Sequence, residues 1–132
     1  MIGIGVDLVD VHRFRTVLQR RAQISERLFT KNELSDCNLA TDPTERLAAR
    51  FAAKEATWKA LSPTRGEGLF FREIEVLNDK NGRPYLNFTG KTKKYLEKKE
   101  NQLEGKLKFD ISLSDEPPFV IAFVIISLAP KV

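Results

Sequence analysis

The strand that opens the chain, predicted over residues 2–9, alternates large apolar side chains with smaller ones. Successive side chains of a strand point to opposite faces, so one face carries Ile2, Ile4, Val6 and Leu8. The other face carries Gly3, Gly5, Asp7 and Val9. Glycine inside a strand often marks close approach by a ligand or by another backbone. Asp7 is therefore either an ordinary polar residue at a strand end or an acid held where a charged group docks.

Helical spacing of apolar residues predicts a first helix directly after this strand, over residues 11–21. A capping-box pattern at Thr30–Glu33 predicts the start of a short helix. The second half of the chain is predicted to begin with a loop over 62–68 and a β-hairpin over 69–88. A charged helix stopped by Gly105 is predicted over 89–105, and a second β-hairpin over 106–128. The last strand is apolar on both faces, which predicts a buried, central strand.

The longest predicted helix begins at Asp42–Glu45 and runs to about Leu61. Asp42 can cap this helix, a proline suits the first helical position, and Glu45 takes the position of a capping-box acid. The helical period places four residues on one apolar stripe, which are Leu47, Phe51, Trp58 and Leu61. This stripe predicts that Trp58 belongs to the core.

Together these elements predict an α+β fold, with a mostly antiparallel sheet packed against helices. The chain has 132 residues, of which 42% are hydrophobic and 30% charged, as in a globular protein with one core. We therefore expect a single domain over residues 1–132.

Composition excludes several kinds of site and location. The longest apolar run, 119–126, is too short to span a bilayer, and no signal peptide is visible. The single cysteine, Cys37, excludes an internal disulfide and a cysteine-rich zinc site, so we expect a reducing cytoplasm. The net charge of +4 favours acidic partners without choosing among them.

Glu55 lies at the margin of the apolar stripe, one turn before Lys59. A carboxylate at such a margin loses hydration and needs a cation, hydrogen bonds or a raised pKa. Lys59 could supply the cation as an i,i+4 partner. Alternatively, if this helix packs on the first strand, Glu55 and Asp7 converge. Two carboxylates suit Mg²⁺, which also takes phosphate oxygens, and Lys59 and Arg50 would then suit a phosphate chain.

Four segments together resemble the bacterial holo-acyl-carrier-protein synthases, a family of small 4′-phosphopantetheinyl transferases. These segments are IGIGVDLVDVHRF at 2–14, RFAAKEATWKAL at 50–61, IEVLNDKNGRPYLNFTG at 74–90 and ISLS at 111–114. The resemblance covers nearly the whole chain. It implies transfer of 4′-phosphopantetheine from coenzyme A to a serine of apo-acyl carrier protein, which releases adenosine 3′,5′-bisphosphate and prepares carriers for fatty acid biosynthesis. It also implies a homotrimer with sites between neighbouring subunits.

The resemblance assigns roles to four residues of the expected site. Asp7 and Glu55 are expected to hold Mg²⁺ against the pyrophosphate of coenzyme A. Lys59 is expected to contact phosphate, and Arg50 to lie near the nucleotide or its phosphates. The attacking serine must lose a proton, and either Glu55 or a water on the metal could accept it.

The resemblance also assigns the acidic carrier protein to the first helix. Arg13 is expected to meet it directly. Arg20 and Arg21 lie further along the same helix, and no acid stands between Arg13 and Arg21. These arginines form a candidate docking surface for an acidic protein.

Two departures from the family pattern bear on coenzyme A. The family commonly has histidine after S-L-S, whereas this chain has Asp115 after Ser114. Asp115 could replace a coenzyme A contact, act as a third acid near the metal, or begin the turn that follows, and the turn is slightly favoured. The usual G-T-G after the long helix is replaced by 62–66, SPTRG, in a loop expected near the nucleotide.

Three alternatives remain open from the sequence. The same scaffold could serve another metal-dependent phosphate-ester enzyme, which would need no carrier protein. A degenerate homologue could lack transferase activity because of Asp115 and the altered loop. A basic nucleic-acid- or nucleotide-binding module is disfavoured, because such modules interleave exposed aromatic and basic residues. We therefore expect neither nucleic acid nor a membrane as a partner.

Overall fold

The computed structural model describes residues 2–63 and 69–130. Within these ranges the chain forms five strands, β1 (Gly3–Asp10), β2 (Ile74–Asn78), β3 (Pro84–Phe88), β4 (Gly105–Glu116) and β5 (Phe119–Pro130). It also forms five α-helices there, α1 (Val11–Arg20), α2 (Ile24–Leu28), α3 (Lys31–Asn38), α4 (Pro43–Leu61) and α5 (Gly90–Leu103). The expected α+β fold is confirmed. Most of the loop predicted over 62–68 lies outside the described residues.

The two sheets are antiparallel, as predicted. One has the strand order β1-β5-β4 and the other is the β2-β3 hairpin. The last strand is central, since β5 pairs with both β1 and β4. The prediction that β5 is buried on both faces is wrong within this chain. Its inner face is buried in the core with α4, while Phe119, Ile121 and Phe123 on the other face are exposed.

The helix signals in the sequence are mostly confirmed. Thr30 forms the complete capping box with Glu33, and Asp42 accepts a hydrogen bond from the backbone N–H of Thr44 at the start of α4. Glu45 does not complete a capping box. The charged helix ends one residue earlier than predicted, because Glu104 takes the left-handed conformation at φ 56° and Gly105 begins β4.

Two elements were not predicted. The short helix α2 follows α1 without a clear start signal in the sequence. The strand predicted over 69–77 begins instead with a 3₁₀ turn, Phe71–Glu73, and becomes β2 only at Ile74. No helix among the described residues has both the length and the apolar character needed to cross a bilayer.

The glycines of β1 allow the backbone of α4 to pack directly on the sheet. A Cβ atom on Gly5 would lie 1.8 Å from the carbonyl oxygen of Ala56, and one on Gly3 would lie 2.1 Å from that of Ala60. Of the two causes that the sequence left open, close approach by another backbone is therefore the one found. This contact fixes the distance between β1 and α4.

Gly5→Ala should lower the free energy of unfolding by about 2–3 kcal/mol, because the new methyl group forces α4 away from β1. Urea denaturation measures this loss. Gly82→Ala is the matched control: Gly82 has φ +82°, but a Cβ atom placed there would meet nothing within 4 Å, so only backbone strain of about 1 kcal/mol is expected. Equal losses for the two variants would contradict the steric explanation.

A buried ion pair joins α3 and α4. Lys54 and Glu33 are both fully buried, with 2.8 Å between Lys54 Nζ and Glu33 Oε1. Lys54 also donates hydrogen bonds to the carbonyl oxygens of Phe71 and Ile74, at 2.8 and 2.6 Å. Burial lowers the pKa of Lys54, against the opposing charge of Glu33. The Lys54 side chain of α4 thus fixes the backbone at Phe71 and at Ile74, the first residue of β2.

Candidate active site

A groove of about 320 Å³ lies between β1, α1 and α4. Three charged residues predicted to be functional line it, namely Asp7, Arg13 and Glu55. The remaining lining is supplied by Leu8, Val9, Asp10, Phe14, Val17 and Phe51. The groove therefore combines three acids, Asp10 among them, and a cation with an apolar wall.

The fold brings the two acids together through the packing of α4 on β1. Asp7 lies on the same face of β1 as Gly5, the face that packs against the helix. Glu55 directly precedes Ala56, whose carbonyl oxygen lies over Gly5. Residues far apart in sequence are thus adjacent because two glycines let the helix backbone approach.

The electrostatics of the groove reflect this proximity. Partial burial raises the pKa of Glu55, and the nearby negative charge of Asp7 raises it further, while Lys59 acts in the opposite direction. Glu55 consequently holds a proton more readily than an ordinary glutamate does, and a divalent cation between the two acids would relieve their repulsion.

Lys59 of α4 contacts Asp7 of β1. Its ammonium group lies 3.0 Å from Asp7 Oδ1 and 3.1 Å from the carbonyl oxygen of Val6. The Lys59 side chain is 48% exposed, against 16% for Asp7. The Lys59 ammonium is half exposed, so solvent screens this ion pair from one side and a phosphate could reach the ammonium there.

The donor set fits Mg²⁺ and excludes a closed metal cage of protein ligands. Among residues 2–63 and 69–130, no group of three or more Asp, Glu, His and Cys side chains is placed to hold a metal ion. Mg²⁺ commonly binds through one or two carboxylates and completes its coordination with water and substrate phosphates. Asp7 and Glu55 match this pattern.

The three arginines expected to meet a carrier protein lie at two places. Arg13 lines the groove of Asp7 and Glu55. Arg20 and Arg21 line a separate surface cleft around the start of α2, together with Arg27, which was not among the predicted site residues. Exposed arginines therefore lie at both ends of α1, at the groove and at the start of α2.

Arg50 points away from this groove. Its side chain is buried between α4 and β2, where Nε donates a hydrogen bond of 3.2 Å to the carbonyl oxygen of Val76. Nη2 lies 4.0 Å from Asp36 Oδ2 and has no hydrogen-bond partner among the described residues. The expected contact with phosphate is therefore not assembled beside Asp7 and Glu55 within one chain.

Ser114 and Asp115 line a second groove, of about 480 Å³, with Asp42, Glu45 and Arg46. Asp115 pairs with Val120 near the end of β4, so it lies within the strand and does not begin the turn. A hydrogen bond to Asp115, together with burial and the nearby acids, raises the pKa of Glu45. Asp115 is not a third acid in the groove of Asp7 and Glu55.

Sequence reasoning missed two features of these surfaces. Glu45 faces Asp115 across the second groove, a contact between distant elements that no local pattern reveals. Trp58 is 40% exposed, so its assignment to the core is wrong. The helical period placed Trp58 beside apolar neighbours, but it could not show where the surrounding elements stop covering α4.

Known proteins resemble this chain over nearly its full length. The family model of the 4′-phosphopantetheinyl transferase superfamily matches residues 3–122. The holo-[acyl-carrier-protein] synthase of Methylorubrum extorquens is 37% identical over 98% of this chain and 96% of its own. That of Shewanella denitrificans is 40% identical over 96% of this chain and 97% of its own.

Solved structures agree with these relatives. The holo-[acyl-carrier-protein] synthase of Neisseria meningitidis has a TM-score of 0.79 at 34% identity, covering 96% of this chain and 99% of that one. The complex of the Chronobacterium ammoniagenes enzyme with CoA has a TM-score of 0.80 at 30% identity, covering 96% and 97%. The chain therefore belongs to the 4′-phosphopantetheinyl transferase superfamily, among the holo-[acyl-carrier-protein] synthases.

Proposed function

We propose that this protein transfers 4′-phosphopantetheine from coenzyme A to a serine of apo-acyl carrier protein. The observation that carries the proposal is the convergence of Asp7 and Glu55 in one groove, with Lys59 3.0 Å from Asp7. Two acids that repel each other and a half-exposed ammonium group suit a pyrophosphate with a divalent cation. The relatives from Methylorubrum extorquens and Shewanella denitrificans are named for this activity.

The reaction breaks the phosphoanhydride bond of coenzyme A and forms a phosphate ester bond to the serine. The serine oxygen bonds to the phosphorus that carries pantetheine, and the bond from that phosphorus to the bridging oxygen breaks. The bridging oxygen leaves with its electron pair as part of adenosine 3′,5′-bisphosphate. Such a transfer depends on positioning and charge neutralisation more than on a covalent catalyst.

Asp7, Glu55 and Lys59 each have a role in this proposal. Asp7 and Glu55 hold Mg²⁺, which when bound supplies positive charge against the pyrophosphate. Lys59 moves from Asp7 to a phosphate oxygen and stabilises the charge that develops there. Glu55 is also a candidate to accept the proton of the serine, and a water on the metal is the alternative.

The carrier protein docks, in this proposal, on the exposed arginines at both ends of α1. Arg13 lies at the groove itself, and Arg20 and Arg21 lie near the start of α2. Acyl carrier proteins are acidic, so opposite charges guide the serine toward the pyrophosphate. The proposal includes the cytoplasmic location expected from the single cysteine.

The active form in this proposal is a homotrimer with sites between subunits. The outer face of the β1-β5-β4 sheet supports self-association, because it exposes a contiguous apolar patch of Ile4, Val6, Leu8, Ile121 and Phe123. The number three rests on the resemblance to the family. Light scattering after size-exclusion chromatography should give three times the chain mass of 15.0 kDa. A monomer would contradict this part of the proposal.

In a trimer with sites between subunits, the groove of Ser114 and Asp115 can form part of the active site of a neighbouring subunit. Ser114 and Asp115 lie outside the groove of Asp7 and Glu55 in one chain. We propose that they contact the nucleotide bound to a neighbouring subunit. Arg50 has no assigned ligand contact in this proposal, because its side chain is buried between α4 and β2, away from the groove of Asp7 and Glu55.

Mass spectrometry of the carrier protein tests the proposal. The protein is incubated with coenzyme A, Mg²⁺ and apo-acyl carrier protein, and the carrier is then weighed. A gain equal to one phosphopantetheine group is expected, and omission of Mg²⁺ should prevent it. An unmodified carrier over a range of pH and metal ions would contradict the proposal and favour a degenerate homologue or another phosphate-ester enzyme.

A further inference from the structure

The exposed side of α4 near its C-terminus is a narrow strip. Between residues 52 and 62, the side chains that are not buried are Glu55, Trp58, Lys59 and Ser62. At about 100° per residue, these four side chains lie within an arc of about 100°. The strip therefore presents the two site residues of α4, an indole and the first residue of the following loop on one surface.

Trp58 lies outside the buried core of the described residues. It also makes no aromatic pair or cation–π contact there, and 40% of its surface is exposed. A large aromatic side chain with this exposure is typical of a binding surface.

We propose that the Trp58 indole stacks on the adenine ring of coenzyme A. This inference rests on the proposed function, in which Glu55 and Lys59 of the same strip bind the pyrophosphate. Adenosine is attached to that pyrophosphate, and adenine is the only flat aromatic group of coenzyme A. An aromatic side chain beside a phosphate-binding cation is the arrangement with which proteins hold a base by its face.

Intrinsic fluorescence tests the contact directly, because Trp58 is the only tryptophan of the chain. Adenosine 3′,5′-bisphosphate should quench this fluorescence in a saturable manner, and coenzyme A should do the same. 4′-Phosphopantetheine, which has no adenine, should leave it unchanged. Quenching by 4′-phosphopantetheine alone, or saturable binding of the nucleotide by calorimetry without a fluorescence change, would overturn the inference.

Kinetics of Trp58 variants provide a second test. Trp58→Ala should raise KM for coenzyme A by about 5- to 150-fold with kcat changed about twofold or less, because stacking acts in substrate binding. Trp58→Phe should restore most of the affinity. The matched control is Leu103→Ala, an apolar residue of α5 with the same exposed fraction, 40%, which should keep the KM of the unmodified protein.

The outcomes separate this inference from the proposed function. If Trp58→Ala changes the oligomeric mass, Trp58 belongs to a subunit contact and the stacking proposal is wrong. If Trp58→Ala leaves KM unchanged, the proposal is also wrong, although the transferase function stands. If the unmodified protein fails to modify any carrier but adenosine 3′,5′-bisphosphate still quenches Trp58, the transferase function fails and the stacking contact stands.

Discussion

Asp7→Asn and Glu55→Gln should each slow the transfer of phosphopantetheine on the order of 10²–10³-fold while leaving the fold intact. Each substitution keeps the size of the side chain and removes one of the two charges that meet in the groove. The cation then loses a carboxylate ligand, and the pyrophosphate is less well neutralised in the transition state. Rates are measured from the mass gain of the carrier protein at saturating coenzyme A.

Additional Mg²⁺ distinguishes loss of metal binding from loss of structure. Because a ligand has been removed, both variants should require higher Mg²⁺ concentrations, and their circular dichroism should match that of the unmodified protein. Glu97→Gln, an exposed acid on α5, is the control and should transfer at the ordinary rate. Activity within threefold of normal in both groove variants would show that these acids do not hold the metal.

Lys54→Met should lower the free energy of unfolding by about 3–5 kcal/mol, the largest loss of stability that we expect from one substitution in this chain. The change leaves the carboxylate of Glu33 buried without its cation. It also removes the donor that the carbonyl oxygens of Phe71 and Ile74 share. Denaturation with urea, followed by circular dichroism, measures the loss.

Two further variants identify the cause of that loss. Lys54→Met combined with Glu33→Gln should be more stable than Lys54→Met alone, because no uncompensated charge remains buried. Lys98→Met on the exposed face of α5 is the control and should change stability by less than about 0.5 kcal/mol. A loss below about 1 kcal/mol for Lys54→Met would contradict a structural role for the buried pair.

The buried pair also bears on the candidate site. Lys54 precedes Glu55 on α4, and its ammonium group fixes one side of the helix to α3 and to the start of β2. The glycines of β1 fix the other side. Because both sides are held, the strip of Glu55, Trp58, Lys59 and Ser62 is the part of this helix region that is not buried. The residues of the site are therefore held in place by interactions on both flanks of a single helix.

Local signals in the sequence predicted most of the secondary structure. Thr30 and Asp42 cap the helices that they were expected to begin, and both hairpins form, although β2 starts five residues later than alternation placed it. Errors occurred where a signal had two readings. A glycine near a helix end predicted the stop at Gly105, yet Glu104 adopts the left-handed conformation instead. The apolar stripe included Trp58, which the structure exposes.

By itself the sequence determined the α+β class, the order of the elements other than α2 and the 3₁₀ turn, the family, and Asp7 and Glu55 as candidate metal ligands, because capping, alternation and motif spacing are local properties of the chain. Only the tertiary structure decided that the glycines of β1 admit a helix backbone, that Arg50 turns inward, and that Asp115 faces Glu45. These features depend on which distant elements cover each side of α4. A pattern read along one chain specifies the faces of an element, but the packing of its neighbours decides which face remains open.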